Sequence, residues 1–537
     1  MRGEFYGSFD AADHPRDCDQ CHQLPRLHYG DETTMRRFLH LIPIFLWCSL
    51  GWSQTPTLVQ TVWGPNSLAA GSGSGSWPGS PSPYYAIEFP EPTRAGNLLV
   101  CSSFASSAGG YTLSASDDMG EIWASAGSNL PFTSAAGNYY NIWYVANNVG
   151  GVRQVKVTSS NANGSYVGIT CSEFYNVATS SPTDGTPNCN TVSPGTTLTG
   201  TATGTLSSGD LIYFVSFNEY AETTTSFTAG SQSNITWNLD AVDLLDGYAV
   251  QHGVYSTTTS FTPQMTTGTS NTYTSCEVMF KAASAGTAPT QSMRIVHLGH
   301  FAMPASGTTQ TLQMPSSGNL LIASFTGGGD SISGITGTPS NTWSSTGAVA
   351  GGPSFTASSQ IYYAGNASTA TTATVAITRT GTLTQDTVLI YDITGANTSP
   401  FDTDSGGQGG NQTSIVSSFT TCASCLTPST AGEIVILNAN QNWCTGTALT
   451  APSGALFDSA FTTMNSVNGP QNVDQNGEWA HFYNTSTSPI TATWTMSCDQ
   501  AEAAWAGRVA AFKAGLTAQT ASQPAPPTGL KAVVVSN

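Results

Sequence analysis

The chain repeats itself at long range, and that repetition limits what it can fold into. Gly96-Asn97-Leu98-Leu99-Val100 returns about 220 residues later as Gly318-Asn319-Leu320-Leu321-Ile322, and the segments after it return in the same order. Each copy continues through a Trp (Trp123, Trp343), a Tyr-rich segment (142–147, 361–366), a β-branched segment (154–158, 374–378) and a Ser-Pro-x-Asp turn (181–184, 399–402). A fainter echo lies inside each copy. Gly209-Asp210-Leu211-Ile212-Tyr213 and Gly432-Glu433-Ile434-Val435-Ile436 are further versions of the same run, so each module has two similar halves. Solenoid units run to roughly 20–50 residues; a period this long indicates tandem globular domains.

Charged residues make up only 9% of the chain, which would suit disorder but for the 10% of aromatic residues spaced along it. Disordered chains combine few aromatics with high charge, so this one can build a core. The formal charge is -18, and from Gln54 onward 9 Lys and Arg face 25 Asp and Glu. Nucleic-acid affinity rests on clustered basic residues. No such cluster occurs, and neither nucleic acid nor an anionic membrane surface is an expected partner.

Met35-Arg36-Arg37, an apolar run over 38–47 and small residues up to Ser53 follow the order of a secretory signal peptide and are too short for a membrane span. The expected boundaries are a mis-assigned or discarded leader over 1–34 and a signal peptide over 35–53. The mature chain then starts at Gln54, secreted or held at the cell surface without a stable membrane span. Cys18-Asp19-Gln20-Cys21-His22 fits a haem-attachment pattern, but it lies upstream of the signal and would be discarded with it. The mature part keeps eight cysteines, an even number suited to disulfides in an exported chain, although eight allow 105 pairings. Cys101 with Cys171 is the pairing expected first. Their counterparts in the second module, Ala323 and either Val388 or Leu389, lack cysteine together. Start-to-end logic in the later halves pairs Cys189 with Cys276 and Cys444 with Cys498. Cys422-Ala423-Ser424-Cys425 has neither a second such pair nor a flanking His to support a redox or zinc reading.

Apolar runs of five to eight residues, rich in β-branched and aromatic side chains and bounded by Gly, Ser, Asn and Pro, dominate the mature chain. The expected fold class is all-β, with two tandem antiparallel β-sandwich, jelly-roll-like domains over 54–286 and 287–516, each with two similar halves and each folding alone. A Pro-rich linker at 517–527 leads into a final segment, 528–537. There Pro526-Pro527-Thr528-Gly529-Leu530-Lys531-Ala532 resembles the first strand of a fibronectin type III domain. The Gly-Asn-Leu-Leu-Val strands, the Asn341-Thr342-Trp343 turn, Tyr362-Tyr363-Ala364, the Pro-x-Asp turns and the closing Phe280-Lys281 and Phe512-Lys513 strands resemble a group of secreted bacterial tandem β-sandwich repeat proteins. The resemblance covers about residues 84–516. It implies an extracellular sandwich and supplies no catalytic residues.

The sequence contains no nucleophile elbow, zinc-protease helix or phosphate loop. His297-Leu298-Gly299-His300 is the best metal-like pair, yet a spacing of three on a strand sends the rings to opposite faces unless Gly299 bulges. Glu173 and Glu277, each beside a cysteine in an apolar strand, are candidates for a glycosidase pair, which needs two carboxyls roughly 5–10 Å apart across a sugar. Calcium takes six to eight oxygen ligands. Asp402 and Asp404 alternate and are the candidate calcium ligands, calcium being the one candidate cofactor; Asp240, Asp243 and Asp246 form a second acidic cluster. Sugar rings stack on Trp and Tyr, so Trp443, Trp479, Tyr139 and Tyr140 are the candidate ligand-binding residues and polysaccharide or cell-surface glycan the candidate partner. Trp123 and Trp343, at equivalent positions, read as core.

These features point to an exported, non-catalytic protein for adhesion, matrix assembly or glycan binding. Two other classes stay open. One is a secreted carbohydrate-active enzyme with an unrecognised carboxylate site, which a cleft lined by paired carboxylates and Trp would favour; the other is a structural surface or filament subunit.

Overall fold

The computed structural model describes residues 54–515, apart from 65–83, 107–111, 128–129, 161–165, 202, 205, 221, 245, 292, 304–306, 352–356, 382–385, 412–417, 443–448, 464–474 and 497–503. The described chain is all-β and has no helix. A first repeat comprises β1 (Thr57–Trp63), β2 (Tyr84–Glu88), β3 (Leu98–Ser106), β4 (Leu113–Asp117), β5 (Ala124–Ser125), β6 (Phe132–Thr133), β7 (Tyr139–Val145), β8 (Gln154–Ser159) and β9 (Tyr166–Tyr175). The second has β10 (Thr183–Thr199), β11 (Leu211–Asn218), β12 (Phe227–Thr228), β13 (Ile235–Asp243), β14 (Tyr248–Tyr255) and β15 (Gln264–Phe280). The third has β16 (Arg294–Ala302), β17 (Thr309–Ser316), β18 (Leu320–Gly327), β19 (Ile332–Thr338), β20 (Ser344–Gly351), β21 (Ala357–Gly365), β22 (Ala370–Arg379) and β23 (Thr387–Thr394). The fourth has β24 (Ala396–Asp404), β25 (Gln408–Asn411), β26 (Ser418–Leu426), β27 (Ile434–Asn442), β28 (Leu449–Thr450), β29 (Leu456–Thr463), β30 (Gln475–Tyr483), β31 (Ile490–Met496) and β32 (Ala504–Ala514).

All four repeats share one strand order. The larger sheet runs β1-β9-β3-β7-β5 in the first, β16-β23-β18-β21-β20 in the third and β24-β32-β27-β30-β29 in the fourth. Their smaller sheets run β2-β8-β4, β17-β22-β19 and β26-β31-β28. The second repeat compresses both into β10-β15-β11-β14-β13 with β12 on β15, because its 17-residue strands β10 and β15 run on where the others turn. The repeating unit is thus the half-module. Four copies stand in a four-bladed, propeller-like arrangement where two sandwiches were expected.

The central strands of the larger sheets are covered on both faces. β11 and β18 are buried at every position, which is why they read as continuous apolar runs rather than alternating ones. In the smaller sheet β8 alternates buried Val155 and Val157 with partly exposed Lys156, as a strand with one wet face does. The glycine before each run has its own cause. Gly96 has φ 84, and a Cβ on Gly318 would lie 2.2 Å from the Ile393 carbonyl oxygen, so neither place takes a side chain.

The first and third repeats join edge to edge. β1 pairs in parallel with β16, Thr61 opposite His297, and the two larger sheets become one of 11 strands. Placing equivalent strands side by side in parallel turns the faces over, so Leu98 and its counterpart Leu320 enter different cores. One face of the common sheet is covered by Val155 and Val157 of the first repeat and by Ile434, Ile436 and Phe512 of the fourth. The other is covered by Tyr213 and Val215 of the second repeat and by Leu312 and Val375 of the third.

Cys101–Cys171 and Cys189–Cys276 are disulfides between directly opposed residues of β3 and β9 and of β10 and β15. The third-repeat residue opposite Ala323 is Ile390, slightly beyond the expected Val388 or Leu389. Cys422 and Cys425 join each other within β26. Cys444 and Cys498, the leader and signal segments, and the linker and fibronectin-like tail lie outside the described residues. No helix among the described residues is long and apolar enough to cross a membrane.

Candidate functional site

A β-bulge inserts one residue into a strand and re-aims the side chains beside it. In the second repeat the pairing of β13 with β14 slips between Leu239 and Ala241, and the inserted Asp240 meets His252, Oδ1 to Nδ1 2.6 Å. The fourth repeat slips between Phe457 and Ser459, and Asp458 meets His481 at 2.7 Å. In the other two repeats the bulge lies in the opening strand. β1 slips between Leu58 and Gln60, and Gln60 Nε2 donates to Glu173 Oε2 at 2.6 Å. β16 slips between Ile295 and His297, and His297 Nδ1 lies 2.8 Å from Asp392 Oδ2. These carboxylates also hold the turn before the next strand. Glu173 accepts from the Arg94 N–H at 2.8 Å and Asn97 Nδ2 at 2.6 Å, and Asp392 from the N–H groups of Ser317 and Gly318 at 2.8 Å each. Burial pushes the Glu173 carboxyl above its ordinary value against the pull of those donors.

Asp240, His252 and His297 border one cavity of about 980 Å³ where the first, second and third repeats meet. Its size is that of a small-molecule pocket. The hydroxyls of Thr57, Thr236, Ser256 and Ser317 and the Asn238 amide share its lining with Leu58, Leu239, Val254, Val296 and other aliphatic residues, the larger part of its exposed wall is apolar, and no Trp or Tyr among the described residues lines it. His297 is only 3% exposed, and its Nε2 and Asp240 Oδ2 have no hydrogen-bond partner among the described residues. A buried polar atom without a partner costs about 1–3 kcal/mol, and both atoms are out of contact with solvent. Arg294 also lines the cavity. Burial, then the charge of nearby Arg94, lowers its pKa, and neither arginine belongs to an ion pair among the described residues.

The corresponding junction of the third, fourth and first repeats is closed. Residues 89–97, between β2 and β3, carry Glu91 to His481, Oε1 3.4 Å from Nε2. Gln60 fixes that link by accepting from the Glu91 N–H at 2.9 Å and donating to its carbonyl oxygen at 3.0 Å. Tyr391 donates its hydroxyl to Asp458 Oδ2 at 2.9 Å. Burial lowers the His481 pKa, but Asp458 and Glu91 outweigh it and raise it to about 9. The link between β17 and β18 is only residues 317–319, too short to fill its own junction in the same way.

Of the residues expected to bind, Trp479, Tyr140 and Tyr139 do not line the cavity. Trp479 is fully buried, donating Nε1 to the Ser324 carbonyl at 2.9 Å with its ring against His300; it packs the third repeat onto the fourth and offers no face to a sugar. Tyr140 is 1% exposed and donates to Glu219 Oε1 at 3.1 Å, a carboxylate that also accepts from Ser134, Asn138 and Thr274. Tyr139 is half-buried against the core, and Trp443 lies outside the described residues. Trp123 is buried and Trp343 packs against the core. Asp402 and Asp404 each lie beside a basic side chain, Lys513 Nζ at 3.4 Å and Arg508 Nη2 at 3.3 Å. The described residues hold no cluster of three His, Cys, Asp or Glu suited to a metal.

Glu173 and Glu277 do not face each other. Glu173 lies opposite Leu99, in the core of the first repeat, and Glu277 opposite Phe214, inside the second. Glu277 accepts from the Thr201 N–H at 3.1 Å, and burial pushes its carboxyl up to about 7. His297 and His300 do take opposite faces; burial against Trp479 lowers the His300 pKa to about 3. The bulge beside them falls at Val296 and not at Gly299. The cavity pair Asp240 and His252 was not singled out as a pair, although His252 and His481 hold matching places in the second and fourth repeats. Comparison of the chain with protein families, with characterised proteins and with solved structures finds no match.

Proposed function

We propose that this is an exported, non-catalytic binding protein that captures glycans at or beyond the cell surface, through the cavity between its first three repeats. The observation that carries the reading is that cavity: about 980 Å³, with the hydroxyls of several Ser and Thr, the Asn238 amide and the His252, His297 and Arg294 side chains set in a wall that is otherwise apolar. A polyhydroxylated ligand supplies matching donors and acceptors in number. Recognition then rests on hydrogen bonds, because no Trp, Tyr or Phe among the described residues lines the cavity. Three disulfides support export, and the shared strand order of larger and smaller sheets supports a jelly-roll-like sandwich in each repeat.

The His297–Asp392 pair invites a hydrolase reading, and the repeats argue against it. Gln60 occupies in the first repeat the place of His297 in the third and makes the same bond to a carboxylate. A glutamine cannot act as a general base, so the pair serves the turn it holds. The test is to screen the full chain against immobilised glycans and insoluble polysaccharides while following reducing-sugar release. Saturable binding without release supports the proposal. Release abolished by His297→Gln would sink the non-catalytic part, and no binding to any glycan would sink the rest.

A further inference from the structure

We infer that the ligand of this cavity carries a carboxylate, seated against His252 as Glu91 is seated against His481; within the glycan reading above, on which this rests, that means an acidic sugar such as a uronate. Both junctions are built on a His, in β14 or in β30, held by an Asp on a bulge, at 2.6 Å for His252 and 2.7 Å for His481. In the fourth repeat the far side of the ring, Nε2, meets the Glu91 carboxylate that the long link 89–97 delivers. In the second repeat the link that would deliver a side chain is residues 317–319, and a cavity stands in its place. The chain thus carries an internal example of what fills such a junction.

Charge points the same way. In a protein with 14 Lys and Arg against 32 Asp and Glu, most of the described arginines are tied to carboxylates, Arg153 to Glu88, Arg379 to Asp386 and Arg508 to Asp404. Arg294 and Arg94 are not, and Arg294 lines the cavity. Two carboxylates also face this region and weigh against an anion, but both are engaged: Asp392 by His297, Ser317 and Gly318, Asp240 by His252 through Oδ1. Charge-assisted bonds from a guanidinium are among the strong ones and fit a carboxylate in two-point fashion. The remaining volume exceeds a bare carboxylate and suits a sugar ring, whose hydroxyls would meet the threonines and serines of the wall.

The experiment is calorimetric titration of the full chain with glucuronate and galacturonate oligosaccharides, their neutral glucose and galactose counterparts, and sodium lactate. Acidic sugars are expected to bind at least ~10-fold more tightly than neutral ones, as one bidentate charge-assisted contact implies. Neutral sugars binding as tightly as acidic ones would overturn the carboxylate and leave the glycan reading standing. Lactate binding as tightly as the uronates would do the reverse. Binding by none of them would remove both. Arg294→Gln, checked for an unchanged circular-dichroism spectrum, is expected to lose ~10-fold or more for uronates and little for neutral sugars; wild-type affinity for uronates in that variant would also overturn the inference. Glu91→Gln, at the closed junction, should bind as the parent does while unfolding more easily.

Discussion

His481 of the fourth repeat meets Glu91 of the first, Nε2 to Oε1 3.4 Å, across 390 residues of sequence. With Asp458 on the other ring nitrogen at 2.7 Å, this fully buried imidazole lies between two carboxylates. It fixes the first repeat against the fourth, between which no strands pair among the described residues.

That clasp should make stability depend on pH in a defined window. The His481 pKa is raised from 6.5 to about 9, so its contribution is fully present below 6.5 and is lost as pH rises through about 9. Burial raises the Glu91 pKa, but the hydrogen bond and charge of His481 outweigh it and the net shift is downward from 4.5. Its contribution is therefore present above 4.5 and lost as pH falls through the folded value. Both act together between 4.5 and 6.5. Urea midpoints measured from pH about 5 to about 10 should fall on the alkaline side in the parent, and fall less in His481→Gln. Equal slopes would remove His481 as the cause.

Removing one partner should cost more than removing both. His481→Leu leaves the Glu91 and Asp458 carboxylates in the interior without the cation between them, a loss on the order of 3–5 kcal/mol. The double variant Glu91→Ala with His481→Leu is expected to recover part of it. Equilibrium denaturation of the two variants decides this.

The Cys101–Cys171 disulfide closes a loop of 70 residues and Cys422–Cys425 one of 3. In the chain-entropy model the first contributes about 4 kcal/mol and the second about 2. Replacing both cysteines of a pair by Ser and comparing unfolding midpoints should rank them in that order. Non-reducing peptide maps should recover Cys101 joined to Cys171 and Cys189 to Cys276.

His297→Gln should unfold within about 1 kcal/mol of the parent, because a glutamine amide already makes this bond from Gln60 to Glu173 at 2.6 Å in the first repeat. His297→Leu leaves Asp392 short of a donor and should cost more. The same unfolding experiment separates them.

Residues 287–516 produced alone should self-associate. Their β16 edge loses β1, and Ile434, Ile436 and Phe512 share a core with Val155 and Val157 of the missing half. An unpaired, largely apolar edge strand recruits another chain, and light scattering against concentration should show it. A monomer at all concentrations would mean that each module closes its own edge.

The strands themselves were legible. Leu98–Ser106, Leu211–Asn218, Leu320–Gly327 and Ile434–Asn442 announce themselves by Gly and a continuous apolar run. The echo between half-modules was visible as well, but its weight was not: nothing local says that each half repeats the whole strand order. The seam between β1 and β16 left no trace, because a parallel pairing of distant strands is fixed by what covers both faces and not by either strand's pattern. Trp479 misled for a related reason. Its strand comes after a polar stretch, and β27 carries Asn438 and Asn440, which look wet yet are buried because they donate to backbone of the third repeat, Asn438 to the Phe325 carbonyl at 3.1 Å and Asn440 to that of Gly327 at 2.6 Å. The His–Asp pairs depend on bulges, and a bulge shifts register by one residue in a way that alternation does not record.

Equivalent strands lying in parallel along β1 and β16 are what two identical subunits would present to each other around a twofold axis. The protein is in that sense a homodimer written into one polypeptide. Its halves meet at a fixed effective concentration whatever the dilution, and, being encoded separately, they are released from staying identical. The junction sealed by Glu91 and the one left hollow beside His252 are where that freedom has been used.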